Sequence, residues 1–296
     1  MKEPNRQQAK REMSRSADSD WVVVTGCSSG IGLDCARRLF ACGYKVIATV
    51  RNNEQAKALQ ADGFKHIVVF DLDDAIQVDN AAAEIRALCG GVLKGLFNNA
   101  AYGQAGAVED LSRVSLEKQF STNVFGTHQL TRLLLPELRA HGQGRIIQNS
   151  SVLGFCAMPM RGAYNASKFA LEGLTDTLRL ELLKNNDSVR VVLIEPGPIM
   201  SRFRANSLKS LRENVDIENS RYAEDYNAAI ERLSKSGPAA PFTLPASAVT
   251  DRVIEALEVS SPRRRYYVTV PTYLFAVLRR VLPTFLLDRL LIRAAG

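Results

Sequence analysis

The chain has 296 residues, 46% of them hydrophobic and 23% charged, enough to bury a substantial core and too apolar for wholesale disorder. Its formal net charge of +7 is unevenly placed: from Ser260 onward seven arginines stand against one acid, Asp288, so the body is near neutral and shows no nucleic-acid footprint. Five scattered cysteines (27, 35, 42, 89, 156) with no CxxC pair suit free thiols in a reducing, cytoplasmic compartment, and three dispersed histidines (66, 128, 141) make no metal site.

Residues 1–19 are polar, lack the apolar run of a secretory signal and read as a mobile extension. A strand–helix rhythm begins at Trp21. The run "WVVVT" leads into a glycine-rich turn and the helical pattern "IGLDCARRLFACG". Strands follow at 45–50, 66–70, 92–97, 145–149 and 189–195, separated by a polar helix, an Ala-rich helix over 75–88, a long helix over 115–140 and another over 162–184. Short, continuously apolar runs between helices indicate strands buried on both faces. The pattern predicts an α/β fold, a doubly wound, mostly parallel sheet of about seven strands with helices on both faces. After Pro196 the rhythm breaks, and the polar segment 198–243 falls at the carboxyl edge of the sheet, where ligands bind. It reads as a substrate lid or, more blandly, as surface decoration. One domain over 20–270 and a basic tail over 271–296 complete the organisation.

Two stretches carry chemistry on their own residues. In "TGCSSGIG" (25–32), Gly26, Gly30 and Gly32 stand where a chain turns tightly, approaches a ligand and packs a helix on a sheet. The helix N-terminus that follows offers free N–H groups to a pyrophosphate. At the end of the second strand, "ATVRNN" holds no acid to bond a ribose 2′-hydroxyl. It holds Arg51, whose guanidinium suits a 2′-phosphate, so NADP(H) is favoured over NAD(H) unless Arg51 is merely solvated. In "YNASK", Tyr164 and Lys168 sit four apart on one helix face, which taken alone is an ordinary surface pair.

With "TGCSSGIG", "NNAA", "NSS" and "YNASK" in this order, the sequence resembles the short-chain dehydrogenase/reductase family over about residues 20–260. The resemblance implies a Rossmann-type domain and an oxidoreductase with a tetrad at Asn123, Ser151, Tyr164 and Lys168. Ser151 is preferred to Ser150 because it lies thirteen residues before the tyrosine. It further implies nucleotide contacts at Gly26, Ser28, Ser29, Gly30, Ile31, Gly32, Arg51, Asp71, Leu72, Asn98, Ala100, Tyr164, Lys168, Pro196, Gly197, Ile199 and Ser201, and no metal. One departure stands out: Ala101 replaces the family's glycine, which would strain a backbone of positive φ. In the implied mechanism Tyr164 delivers the proton, with its pKa lowered by the Lys168 ammonium. Ser151 holds the carbonyl oxygen, and Asn123 anchors a water relay.

Leu153, Phe155, Met158 and Met160, between Ser151 and Tyr164, make the adjoining pocket apolar and deformable. The resemblance extends to bacterial NADP-dependent aldehyde reductases similar to retinol and 17β-hydroxysteroid dehydrogenases. Reduction of lipophilic aldehydes or ketones with NADPH is the preferred expectation, with steroid or retinoid alcohol oxidation as runner-up. A non-catalytic NADP(H) sensor is the rival of another class. Such enzymes pair through the helices near 115–140 and 162–184, so a homo-oligomer is expected. The tail has no run of the ~18 apolar residues needed to cross a bilayer. It suits either a cap on the cleft or subunit interface, or a basic amphipathic helix on an anionic membrane surface.

Overall fold

The computed structural model of the protein describes residues 20–295 apart from Ser236 and Ala239; the extension expected over 1–19 lies outside them. Seven strands form one sheet in the order β3-β2-β1-β4-β5-β6-β7: β1 (Trp21–Val24), β2 (Lys45–Val50), β3 (His66–Val69), β4 (Gly95–Asn98), β5 (Arg145–Asn149), β6 (Arg190–Glu195) and β7 (Arg265–Tyr267). All six pairings are parallel, so the mostly parallel sheet expected from the apolar runs is fully parallel. Burial on both faces follows from that geometry: every residue of β4 and β5 is buried.

Eleven α-helices are present among the described residues. They are α1 (Gly30–Ala41), α2 (Asn53–Ala61), α3 (Ala75–Leu88), α4 (Arg113–Phe120), α5 (Thr127–Ala140), α6 (Gly162–Lys184), α7 (Phe203–Asn214), α8 (Ala223–Ser234), α9 (Ser247–Glu258), α10 (Val270–Val281) and α11 (Thr284–Ala295). Local chemistry starts several of them. Asn52 accepts from Gln55 N–H ahead of α2, Asp74 from Ile76 and Gln77 N–H ahead of α3, and Ser112 from Ser115 N–H ahead of α4. One core lies between the sheet and α1, α2 and α9, the other between the sheet and α3, α5 and α6. The buried Arg145 guanidinium donates to the Ala256 and Val259 carbonyls, capping α9 with a cation where its dipole is negative.

Two expectations change. The single helix predicted over 115–140 is broken into α4, a π turn over Ser121–Gly126, and α5. The extra residue of a π turn is accommodated because the Asn123 side chain is drawn out to the Tyr102 backbone. The strand predicted at 92–97 begins only at Gly95: Val92 N–H closes a turn on Cys89 O and Leu93 N–H is taken by Glu137 O. β1, β2 and β3 run outward on one side while β4 starts the other. The topological switch therefore falls between the carboxyl ends of β1 and β4, and opens a crevice there.

Candidate active site

The crevice is built from the β1–α1 turn. Gly26 has φ +73°, and a Cβ there would stand 2.9 Å from Ala100 Cα; a Cβ on Gly32 would collide with the Gly26 carbonyl oxygen. Only hydrogen fits at either position. Ser29 is the N-cap of α1, yet its side chain caps nothing, which leaves the first N–H groups of the helix to another acceptor. Thr25 ties the turn to β4: its hydroxyl accepts from Asn99 N (2.8 Å) and Ala100 N (2.9 Å) and donates to Phe97 O. The Asn99 amide donates to Thr25 O at 2.9 Å and accepts from the Asn149 amide at 2.9 Å, lacing the ends of β1, β4 and β5 together.

The expected nucleotide residues fall around this turn in different ways. Ser28 and Ile31 lie on it, and a Cβ added at Gly30 would stand 3.0 Å from Ser201 Cβ. Ser201 Oγ accepts from Phe203 N within the loop after β6. Arg51, at the end of β2, is exposed, and its guanidinium bonds none of the described residues. Asp71 accepts from Asp73 N, and Leu72 is buried beside it. Asn98 turns its amide away from the crevice to Thr131 Oγ1 at 2.8 Å. Pro196 O accepts from Val152 N, and Ile199 bridges to Leu244. A Cβ on Gly197 would collide with the buried Thr269 hydroxyl at the start of α10. Ala101 is absent from the left-handed residues, so the strain anticipated there does not arise. The cradle of absent Cβ atoms, the uncapped helix end and the unpaired guanidinium fit a dinucleotide with an additional phosphate.

The four tetrad positions converge from three elements. Tyr164 and Lys168 lie in α6, which spans the expected 162–184; Lys168 Nζ stands 5.7 Å from the Tyr164 ring centroid and donates to Asn149 O at 2.7 Å. Ser151 follows β5; its Oγ accepts from Leu153 N at 3.1 Å, and its hydroxyl bonds the Tyr164 phenol. Asn123, in the π turn, accepts from Tyr102 N at 3.2 Å and donates to Tyr102 O (3.0 Å) and Ser167 Oγ (3.1 Å). Its amide is thus a strut between the β4 loop and α6. A relay at this position would run through backbone carbonyls that the π turn frees from the i→i−4 ladder.

Burial dominates the electrostatics of the pair. The Tyr164 phenol is pushed up to about 12, because burial outweighs the hydrogen bond from Ser151. Burial also pulls the Lys168 ammonium down to about 8, with the Glu172 carboxylate opposing it.

Glu172 was not singled out in the sequence, although it lies one helical turn beyond Lys168 on the face that bears Tyr164. It is buried, and β7 supplies its partner: Arg265 clasps Glu172, Glu195 and Asp176, the last at 2.5 Å. Glu195 is fully buried, and that burial, with Glu172 beside it, holds its carboxyl well above the usual range against the pull of Arg265.

An apolar wall adjoins Tyr164. Val152, Leu153, Phe155, Cys156 and Met158 pack with Phe275 and Leu278 of α10 and Leu287 and Leu291 of α11. The 198–243 segment adds Phe203, whose ring meets the Tyr164 ring edge-on at 5.1 Å. Farther out, Tyr226 anchors that segment by donating to Asp110 (2.7 Å) and accepting from Ala107 N (2.9 Å). The inner face of the tail thus packs against this wall.

The family model for the short chain dehydrogenases matches residues 20–212. An Escherichia coli K12 protein named as an uncharacterized oxidoreductase, YbbO, is 42% identical over 270 residues, covering 91% of this chain and 93% of the relative. An NADPH-dependent 3-dehydrocapnine reductase of Ornithobacterium rhinotracheale is 34% identical, covering 91% and 95%. Human retinol dehydrogenase 8 is 35% identical, covering 63% and 61%. A short-chain dehydrogenase of Burkholderia phymatum, solved in complex with NAD, superposes with a TM-score of 0.74 at 25% identity, covering 89% and 92%. The chain belongs to the short-chain dehydrogenase/reductase family and is an oxidoreductase that uses a nicotinamide cofactor.

Proposed function

We propose that this member of the short-chain dehydrogenase/reductase family reduces lipophilic aldehydes or ketones with NADPH. The observation that carries the reading is the Ser151–Tyr164–Lys168 group, set against an apolar wall to which the tail contributes four side chains. A reduced nicotinamide, when bound, supplies hydride to the carbonyl carbon. The chain's own residues handle the oxygen. The Ser151 hydroxyl, its lone pair already engaged by Leu153 N–H, donates to the carbonyl oxygen and fixes it. The Tyr164 hydroxyl gives up its proton as negative charge builds there. Lys168, with one N–H spent on Asn149 O and two to spare, stabilises the phenolate left behind and the sugar hydroxyls beside it.

Gly26, Gly30, Gly32 and the end of α1 would hold the pyrophosphate and Arg51 the 2′-phosphate. NADPH is supported by the lack of an acid at the end of β2 and by the NADPH-dependent relative. The five free cysteines support a cytoplasmic location, and no helix among the described residues is long and apolar enough to cross a membrane. A panel of aliphatic and aromatic aldehydes, ketones, retinoids and steroids, assayed with both cofactors, tests the reading. The expected result is NADPH oxidation with apolar carbonyls, abolished in Tyr164→Phe by about 10²–10⁴-fold with NADPH binding retained. NADPH binding without turnover on any carbonyl would establish the sensor instead, and preferred oxidation of retinol would reverse the direction.

A further inference from the structure

The tail is apolar on two faces, and the pocket uses only one. Phe275 and Ala276 of α10 and Leu291 of α11 are buried against the cleft. On the opposite side of α10, Val270, Tyr273, Leu274, Val277 and Val281 are each more than half exposed. Their spacing (i, i+3, i+4, i+7, i+11) places them in one stripe along the helix. On α11 the outward face interleaves apolar and cationic groups: Phe285, Leu286, Leu290 and Ile292 are exposed, Arg289 and Arg293 project among them, and one acid, Asp288, is exposed beside them. Arg280 flanks the α10 stripe, and none of these three guanidiniums is paired with an acid among the described residues. Beside Tyr273 opens a cavity of about 450 Å³, lined by Arg252, Arg263, Arg265, Tyr266, Tyr267 and Tyr273. Two of its arginines are spent, Arg265 on three carboxylates and Arg252 on Glu255, whereas the Arg263 guanidinium is unpaired among the described residues.

An aqueous surface does not call for a continuous apolar stripe opposite an already buried face. A protein partner would be expected to bring carboxylates to the arginines, but the stripe itself is uncharged, and the cations stand at its margins and on the second helix. That distribution matches a bilayer interface, where apolar side chains enter the acyl boundary and arginines meet phosphates at headgroup level. Charge complementarity selects anionic lipid. We infer that the α10–α11 hairpin docks in the plane of an anionic lipid bilayer through its outer face, while its inner face roofs the apolar pocket. One element then lies between membrane and cleft, and a lipophilic carbonyl dissolved in the bilayer has a short path to Tyr164. The docking stands on the hairpin's own surface; only the delivery of substrate rests on the proposed reductase activity.

The test is co-sedimentation of the full chain with phosphatidylglycerol vesicles and with phosphatidylcholine vesicles. The sedimentation equilibrium of each variant is recorded alongside, as is NADPH oxidation with a water-soluble aldehyde. The chain should pellet with the anionic vesicles and be released by high salt. Val277→Asp should weaken vesicle binding at least tenfold, and Arg289→Glu combined with Arg293→Glu by on the order of tenfold or more, given what each arginine contributes near an anionic surface. Both variants should keep the melting temperature and the turnover of the soluble aldehyde. Failure of the parent to pellet with phosphatidylglycerol would overturn the inference. So would a Val277→Asp variant that binds vesicles normally but dissociates a dimer, which would make this face a contact between two copies. Vesicle binding with no aldehyde turnover would leave docking intact and remove the proposed function alone.

Discussion

Replacing Glu172 with Gln tests how far the buried charges behind the Tyr164–Lys168 pair set the working pH range. Burial holds the Lys168 ammonium near 8 instead of 10.5, and Glu172 supports it against that pull. Across one helical turn of roughly 6 Å, at an effective dielectric of about 20, a carboxylate favours an ammonium by about 2–3 kcal/mol. Arg265 clasps the same carboxylate and offsets part of this. The remainder is on the order of 1 kcal/mol, close to one pH unit. Carbonyl reduction that needs the ammonium should therefore fall about tenfold in the parent between about pH 7 and about pH 9. In Glu172→Gln the descending limb should move down by about one unit. Near pH 8 the variant would then run roughly fivefold slower than the parent, and near pH 6 almost equally fast. The assay is kcat/KM for NADPH at saturating aldehyde, which reports groups of the free enzyme, with melting curves to show that Arg265, still paired with Glu195 and Asp176, keeps the fold. A folded variant whose limb does not move would refute the coupling between Glu172 and Lys168.

Arg51→Ala should raise the Kd for NADPH about 10–100-fold, the worth of a charge-assisted bond to phosphate, and leave that for NADH almost unchanged; fluorescence titration of both cofactors measures it. Gly197→Ala should lower the melting temperature by the equivalent of about 1–3 kcal/mol, because the added Cβ meets the buried Thr269 hydroxyl, and Thr269→Ala in the same chain should restore most of the loss.

Much of the architecture was legible from local pattern. β2 and β5, α3 and α6 fall within the stretches read from apolar runs and helical spacing, since continuous β-branched runs and strong amphipathic periods are local signals. The π turn was not legible, because its cause is the reach of Asn123 to a backbone twenty-one residues away, which leaves helical periodicity on both sides undisturbed. Arg265 was counted only as tail charge: its three acids come from α6 and β6, brought to β7 by strand order alone. The burial of Tyr164 is hidden from the sequence for a related reason. Proximity of a lysine is visible in YxxxK, whereas the burial that raises the phenol comes from elements distant in the chain, such as Phe203 and the tail helices. Glu172 could have been found, since a carboxylate one turn past the lysine on the same face was in plain view.

The π turn has a consequence for how relatives are compared and how the helix pair is edited. Holding one residue more than an α turn, it sets α4 about 100° out of phase with what α5 would continue. A one-residue deletion anywhere in Ser121–Gly126 would let the segment relax to α. It would rotate either Asn123 off the Tyr102 backbone or the outward side chains of α4, including Val114, off the face they now present. The position of the strut and the identity of the exposed face are thus inherited as one unit. A single gap in an alignment at this place signals a different surface and a different site together.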